Sequence, residues 1–240
     1  MTRFIAIAAS ALALSACNFM GHDEQRDPGA TVTRNYQVGG FDRIEVAGPY
    51  EVTVVTGGKP GVTATGGDKL LGETKVEIDG STLKIEPKHH YGINLFWGHG
   101  EKAKFTVTTA MLNGAEITGS GGIAVDKVAG DFKGEVAGSG KLSLPSVNGG
   151  AMDFSIAGSG RINAAGKAQS TKVEITGSGT VDAPGLAATD ADVSITGSGN
   201  VKLSASRAAK VEIIGSGNVV VTGGAKCQVD KTGSGNVTCG

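Results

Sequence analysis

The tripeptide Gly-Ser-Gly occurs seven times in this 240-residue sequence, with first glycines at Gly119, Gly138, Gly158, Gly177, Gly197, Gly215 and Gly233, so the steps are 19, 20, 19, 20, 18 and 18 residues. A spacing held that closely is the signature of stacked structural repeats. The flanks keep the same period. Two residues before the first glycines stand Ile117, Val136, Ile156, Ile175, Ile195 and Ile213; four before the later ones stand Phe154, Val173, Val193, Val211 and Val229. After the motif come apolar residues two apart: Ile123 and Val125, Leu142 and Leu144, Val201 and Leu203, Val219 and Val221. Polar residues such as Glu174, Ser143 and Lys202 separate them. Alternation of period two buries one face of a strand. Each repeat therefore reads as strand, glycine corner, strand and a looser return. No stretch keeps a 3.6-residue period, and the recurring glycines would break a helix. One such coil cannot bury its apolar face alone, whereas a stack of coils shares a core.

Asn200, Asn218 and Asn236 each follow a Gly-Ser-Gly and should stack as a ladder, since Asn suits corner geometry and can bond to its copy. The last copy departs from the pattern: Lys231 stands where the others carry Ile or Val. A charge at the end of the stack discourages edge-to-edge growth. Cys239 falls in the inward column of Leu203 and Val221, and Cys227 has inward parity. Their spacing is not Cys-x-x-Cys, so a structural bridge, or two free thiols, is expected rather than a redox pair.

The address lies at the N-terminus. "MTRFIAIAASALALSAC" has Arg3, an apolar run from Phe4 to Leu14, and then Leu14-Ser15-Ala16-Cys17. The run is too short to span a bilayer, which takes about 20 residues. It resembles a bacterial lipoprotein signal peptide over residues 1–17, with Cys17 as the lipidated residue and Asn18 favouring the outer membrane. Residues 18–30 read as a polar tether, and 31–240 as one β-domain. An oxidising compartment outside the cytoplasm permits disulfides. The formal net charge is −1 with basic residues dispersed, so no nucleic-acid partner is expected.

Residues 31–110 lack Gly-Ser-Gly but alternate as strands do: "FDRIEVAGPYEVTVVTGG", then "TKVEIDGSTLKIEPK", a hairpin with Asp79-Gly80 near its turn. "KAKFTVTTAMLNGAEITGSG" runs directly into the seven coils of 111–240. These segments, in this order over about residues 36–238, resemble the bacterial family described as putative auto-transporter adhesin, head GIN domain. The resemblance implies an all-β, right-handed parallel β-helix of the pectin-lyase-like kind, here in coils of about 19 residues and in one or two lobes. It brings no catalytic residues or cofactor. The chain shows no translocator segment, so a lipid-anchored envelope protein is expected rather than an auto-transporter.

Chemistry-bearing residues are sparse. "HHYGINLFWGHG" gathers His89, His90, Tyr91, Phe96, Trp97 and His99. Such a segment can stack a sugar or grip a partner, as interface anchors favour Trp and Tyr; the alternative is a cover over the solenoid's open end. The three histidines lack a nearby Cys, and adjacent strand residues point apart, so no metal site is expected. Asp126, Asp131, Asp153, Asp182, Asp190 and Asp192 read as scattered in register, with no stacked acid column. The leading expectation is a non-catalytic, lipid-anchored binding, adhesion or spacing module, with a glycan or envelope protein as partner. The alternatives are a polysaccharide-active lyase or hydrolase on the same fold and a periplasmic accessory facing inward. A stacked Asp, Lys and Arg patch in a groove would favour the enzyme, and a smooth Thr, Ser and Asn face the binding role.

Overall fold

The structure is a computed structural model that describes residues 28–88 and 102–240. In chain order the elements are β1 (Thr31–Tyr36), β2 (Arg43–Ala47), β3 (Glu51–Thr56), β4 (Gly61–Gly67), α1 (Asp68–Gly72), β5 (Thr74–Asp79), β6 (Thr82–Pro87) and β7 (Lys104–Thr109). There follow β8 (Gly114–Gly119), β9 (Gly122–Val125), β10 (Val128–Ala129), β11 (Phe132–Gly138), β12 (Lys141–Asn148) and β13 (Ala151–Gly158). The last are β14 (Arg161–Gly177), β15 (Thr180–Gly197), β16 (Asn200–Gly215), β17 (Asn218–Thr222), β18 (Lys226–Gly233) and β19 (Asn236–Cys239).

Parallel pairing stacks the repeats into a solenoid of about seven turns with about 19 residues per turn. The strand before each corner forms one face: β6, β2, β8, β11 and β13, then the second halves of β14, β15 and β16, then β18. The strand after each corner forms a second face: β7, β3, β9 and β12, then the first halves of β14, β15 and β16, then β17 and β19. The alternating residues fall into register. On the first face Ile85, Val46, Ile117, Val136, Ile156, Ile175, Ile195 and Ile213 make one inward column, each no more than 2% exposed. Val52, Ile123, Leu142, Ile162, Val181, Val201 and Val219 do the same on the second face. One continuous core runs through both halves of the chain.

The corners explain the glycines. Every first glycine has φ between +110° and +132°. From Gly138 onward, a Cβ at that position would lie 2.2–2.6 Å from the carbonyl oxygen of the first glycine one coil below. Only glycine fits both the dihedral and the approach. That closeness lets each serine N–H donate to the glycine carbonyl below, as from Ser178 to Gly158 and from Ser198 to Gly177, both at 2.8 Å. Coil 43–56 carries an eighth corner that lacks the motif. Gly48 has φ +117°, Pro49 replaces the serine, and Tyr50 replaces the third glycine. Tyr50 turns inward against Phe105, edge to face at 5.5 Å, and its hydroxyl lies 3.1 Å from Thr74 Oγ1.

Stack order departs from chain order in the first half. Coil 43–56 lies between β6 and β7 on one side and β8 and β9 on the other. The chain thus extends the stack away from the Gly-Ser-Gly coils, then returns past its own first coil. At the far end β1 and β4 add antiparallel strands to β7, and β5 forms the expected hairpin with β6 around Gly80 at φ +61°. The short helix α1, which the sequence pattern did not suggest, buries Leu70 and Leu71 over this end.

At the other end Lys231 stands in register beyond Ile213, exposed, with Nζ donating to Gly235 O at 2.8 Å. Cys227 and Cys239 are bonded to each other, their Cα atoms 6.5 Å apart. Asn200, Asn218 and Asn236 are in register, and Asn218 Nδ2 donates to Asn200 Oδ1 at 3.0 Å.

Candidate binding face

The second face sets a polar, uncharged row beside a charged one. Its outward row runs in register from Asn35 through Thr63, Thr106, Thr53, Ala124 and Ser143 to Asn163. Thr63 Oγ1 donates to Asn35 Oδ1 at 2.8 Å, and the Thr33 and Thr65 hydroxyls meet at 3.2 Å. A neighbouring row runs Thr65, Lys104, Glu51, Gly122, Lys141, Arg161 and Thr180. Both rows sink at one coil, where Gly122 and Ala124 carry almost no side chain. The result is a groove of about 470 Å³ between Glu51 and Thr53 on one side and Lys141 and Ser143 on the other. Ser120 and Ser139 close it at the corner, and Lys102 reaches over it to Glu51, Nζ to Oε1 at 2.7 Å.

His89, His90, Tyr91, Phe96, Trp97 and His99 lie outside the described residues, as does Cys17. Among the described residues no group of His, Cys, Asp or Glu is arranged to hold a metal ion.

The outward positions of the first face correct the sequence expectation about acids. Asp153 and Asp192 are not scattered: they share one column with Lys133, Lys172 and Lys210, in strict alternation. A stacked acid column does exist, built from glutamates. Glu45, Glu116 and Glu135 stand in direct register on β2, β8 and β11. Burial, then the neighbouring charges of Glu45 and Glu135, push the Glu116 carboxyl above its ordinary range. Lys84 lies 3.8 Å from Glu45 and Lys133 2.9 Å from Glu135 at the flanks. Asp126, Asp131 and Asp190 make local structural contacts, and Asp182 lies on the second face in register with Asn163 and Lys202. Asp131 Oδ1 accepts from Ala151 N at 2.7 Å, and Asp190 pairs with Arg207. Burial raises the Asp126 carboxyl, but hydrogen bonds from Thr56 and Lys127 hold it below the usual range.

The fold and this face define a β-solenoid scaffold that presents rows of side chains in register. The chain belongs to the family described as putative auto-transporter adhesin, head GIN domain, whose model matches residues 40–225. Solved structures share the fold. A putative adhesin from Bacteroides fragilis NCTC 9343 is 21% identical over 89% of this chain and 99% of that one, with TM-score 0.79. A structure titled putative lipid binding protein, from Parabacteroides distasonis ATCC 8503, is 23% identical over 88% and 97%, TM-score 0.69. A putative adhesin from Parabacteroides merdae ATCC 43184 is 20% identical over 89% and 98%, TM-score 0.65. No curated protein matches.

Proposed function

We propose that the chain is a non-catalytic adhesion or binding module of the bacterial cell envelope, tethered to the outer membrane by lipid on Cys17, and that its second face binds a glycan. The observation that carries this is the in-register row of Thr, Ser and Asn on a flat sheet, interrupted by a groove at Gly122 and Ala124. Hydroxyls and amides at fixed spacing suit a polyhydroxylated polymer, and a strand-built surface holds them without an ordering cost. The sequence also holds Trp97 and Tyr91, aromatic residues of the kind that stack on sugars.

The catalytic alternative has less support. Glycoside hydrolysis needs two carboxyl groups flanking the bond. Glu51, already paired with Lys102, is the one carboxylate lining the groove among the described residues. The Asp153 and Asp192 column stands on the opposite side of the corner, each acid between two lysines. A glycan array probed with the full chain in detergent, beside Trp97→Ala, tests the reading. Selective binding that the variant weakens supports it; no binding to any glycan overturns it. Membrane fractionation of Cys17→Ser tests the anchor, which fails if that variant stays as firmly in the membrane fraction.

A further inference from the structure

Lys141, which lines the groove, stands directly opposite Arg161, on β12 and β14, so Arg161 lies one rung beyond the groove wall. Adjacent strands lie about 4.8 Å apart, and like charges directly opposite are destabilising. Both side chains are exposed, and neither makes an ion pair with any described residue. Elsewhere like charges in register are offset by opposite ones. Lys133, Asp153, Lys172, Asp192 and Lys210 alternate in sign, and the glutamate stack on the first face has lysines at both flanks. Lys102 lines the groove beside Glu51, and Lys104 stands one rung beyond Glu51, so two cations line the groove and two more flank it, while its one carboxylate among the described residues is Glu51.

We infer that this groove binds a linear glycan bearing carboxylates, with Lys141 and Arg161 holding the acid group. This rests on the reading of the second face as a glycan-binding surface and names the class of glycan. The groove is one missing rung wide. The rungs on either side of Gly122 and Ala124 are about 10 Å apart; the Glu51 carboxylate leans over Gly122, so the open floor for a pyranose ring is at Ala124. Ser139 and Ser143 offer hydroxyls to the ring. The guanidinium fork of Arg161 matches a carboxylate in a way a lone ammonium does not.

The test is binding of the full chain in detergent to polygalacturonate, hyaluronan and neutral dextran, at low and high salt, beside Lys141→Gln/Arg161→Gln. The inference expects an acidic polymer to bind, dextran not to, and the double variant to lose about tenfold or more, as two charge-assisted contacts require. Salt should weaken the parent and leave the variant little changed. A melting curve supplies the second readout: the variant should be as stable as the parent or more so, because a repulsion has been removed. A variant less stable than the parent would mean the pair serves the fold, and the inference fails. Equal binding of dextran and the acidic polymers, unaffected by the substitutions, overturns the inference and leaves the glycan-binding face standing. Binding of none of the three polymers overturns the inference; a blank glycan array besides would remove the face reading too.

Discussion

Lys231 occupies the position one rung beyond Ile213, in the column that every earlier coil fills with a buried aliphatic residue. Its ammonium folds onto Gly235 O instead of entering the core. Val229, 46% exposed, lies on the same terminal rung, so this end would present apolar side chains and unpaired strand backbone to another molecule. The charge is what opposes stacking. Lys231→Ile is expected to leave the melting temperature nearly unchanged and to cause concentration-dependent association. Light scattering after size exclusion measures it, and a variant that stays as monodisperse as the parent contradicts the role.

The disulfide closes the same terminal coil. Cys227 and Cys239 are 12 residues apart, and a bridge over a loop of that size contributes about 3 kcal/mol against opening. The predicted result for Cys227→Ser/Cys239→Ser is local. Amide exchange should accelerate across β18 and β19 while β13 to β15 keep their protection. Thiol titration of the unfolded, unreduced protein should find neither cysteine free; two reactive thiols would remove the bridge from the account.

Gly177 and Ser178 separate geometry from chemistry at the corner. Gly177 has φ +119°, and a Cβ there would lie 2.6 Å from Gly158 O. Gly177→Ala should cost at least about 2 kcal/mol, through strained backbone and a lost close approach. The Ser178 side chain is exposed, so Ser178→Ala should stay within about 0.5 kcal/mol of the parent. Chemical denaturation measures both, and a larger loss at Ser178 than at Gly177 would refute the corner argument.

Glu116 gives a pH dependence of defined sign. Its carboxyl lies above the ordinary range when folded, because of burial and the charges of Glu45 and Glu135. Between the unfolded and folded pKa the native state binds more protons, so stability from this site rises as pH falls through that window. At neutral pH the charged form carries a penalty. Glu116→Gln should therefore stabilise the protein at pH 7 by a few tenths of a kcal/mol to about 1 kcal/mol, the scale of one cross-strand pair. The gain should vanish once pH lies below the unfolded value. A gain independent of pH would show that repulsion is not its source.

The sequence made the regular part of this molecule readable because each coil repeats one local rule. The inward columns, the Asn200 and Asn218 ladder, the terminal Lys231 and the hairpin around Gly80 all follow from spacing and parity. What escaped lies where the rule changes or where partners are remote. The corner at Gly48 was hidden because Pro49 and Tyr50 replace Ser and Gly. The placing of coil 43–56 between β6 and β8 depends on parallel pairing across 39 and 71 residues, Arg43 with Thr82 and with Gly114, which no local pattern announces. The glutamate column was missed for the same reason: Glu45 belongs to that coil, and attention to aspartates passed over Glu116 and Glu135. The groove is legible only afterwards, as two small outward residues, Gly122 and Ala124, in one coil.

The central claim is that this groove is where the glycan binds, and Ala124→Trp tests it most directly. Ala124 points outward on the groove floor, and an aromatic residue is tolerated at an exposed strand position. The measurement is a binding isotherm, parent against variant, with the glycan selected on the array, alongside a melting curve. The account predicts an unchanged melting temperature and an affinity reduced by about tenfold or more as the indole fills the groove. Equal affinity in a variant that melts with the parent would place binding elsewhere and contradict the account.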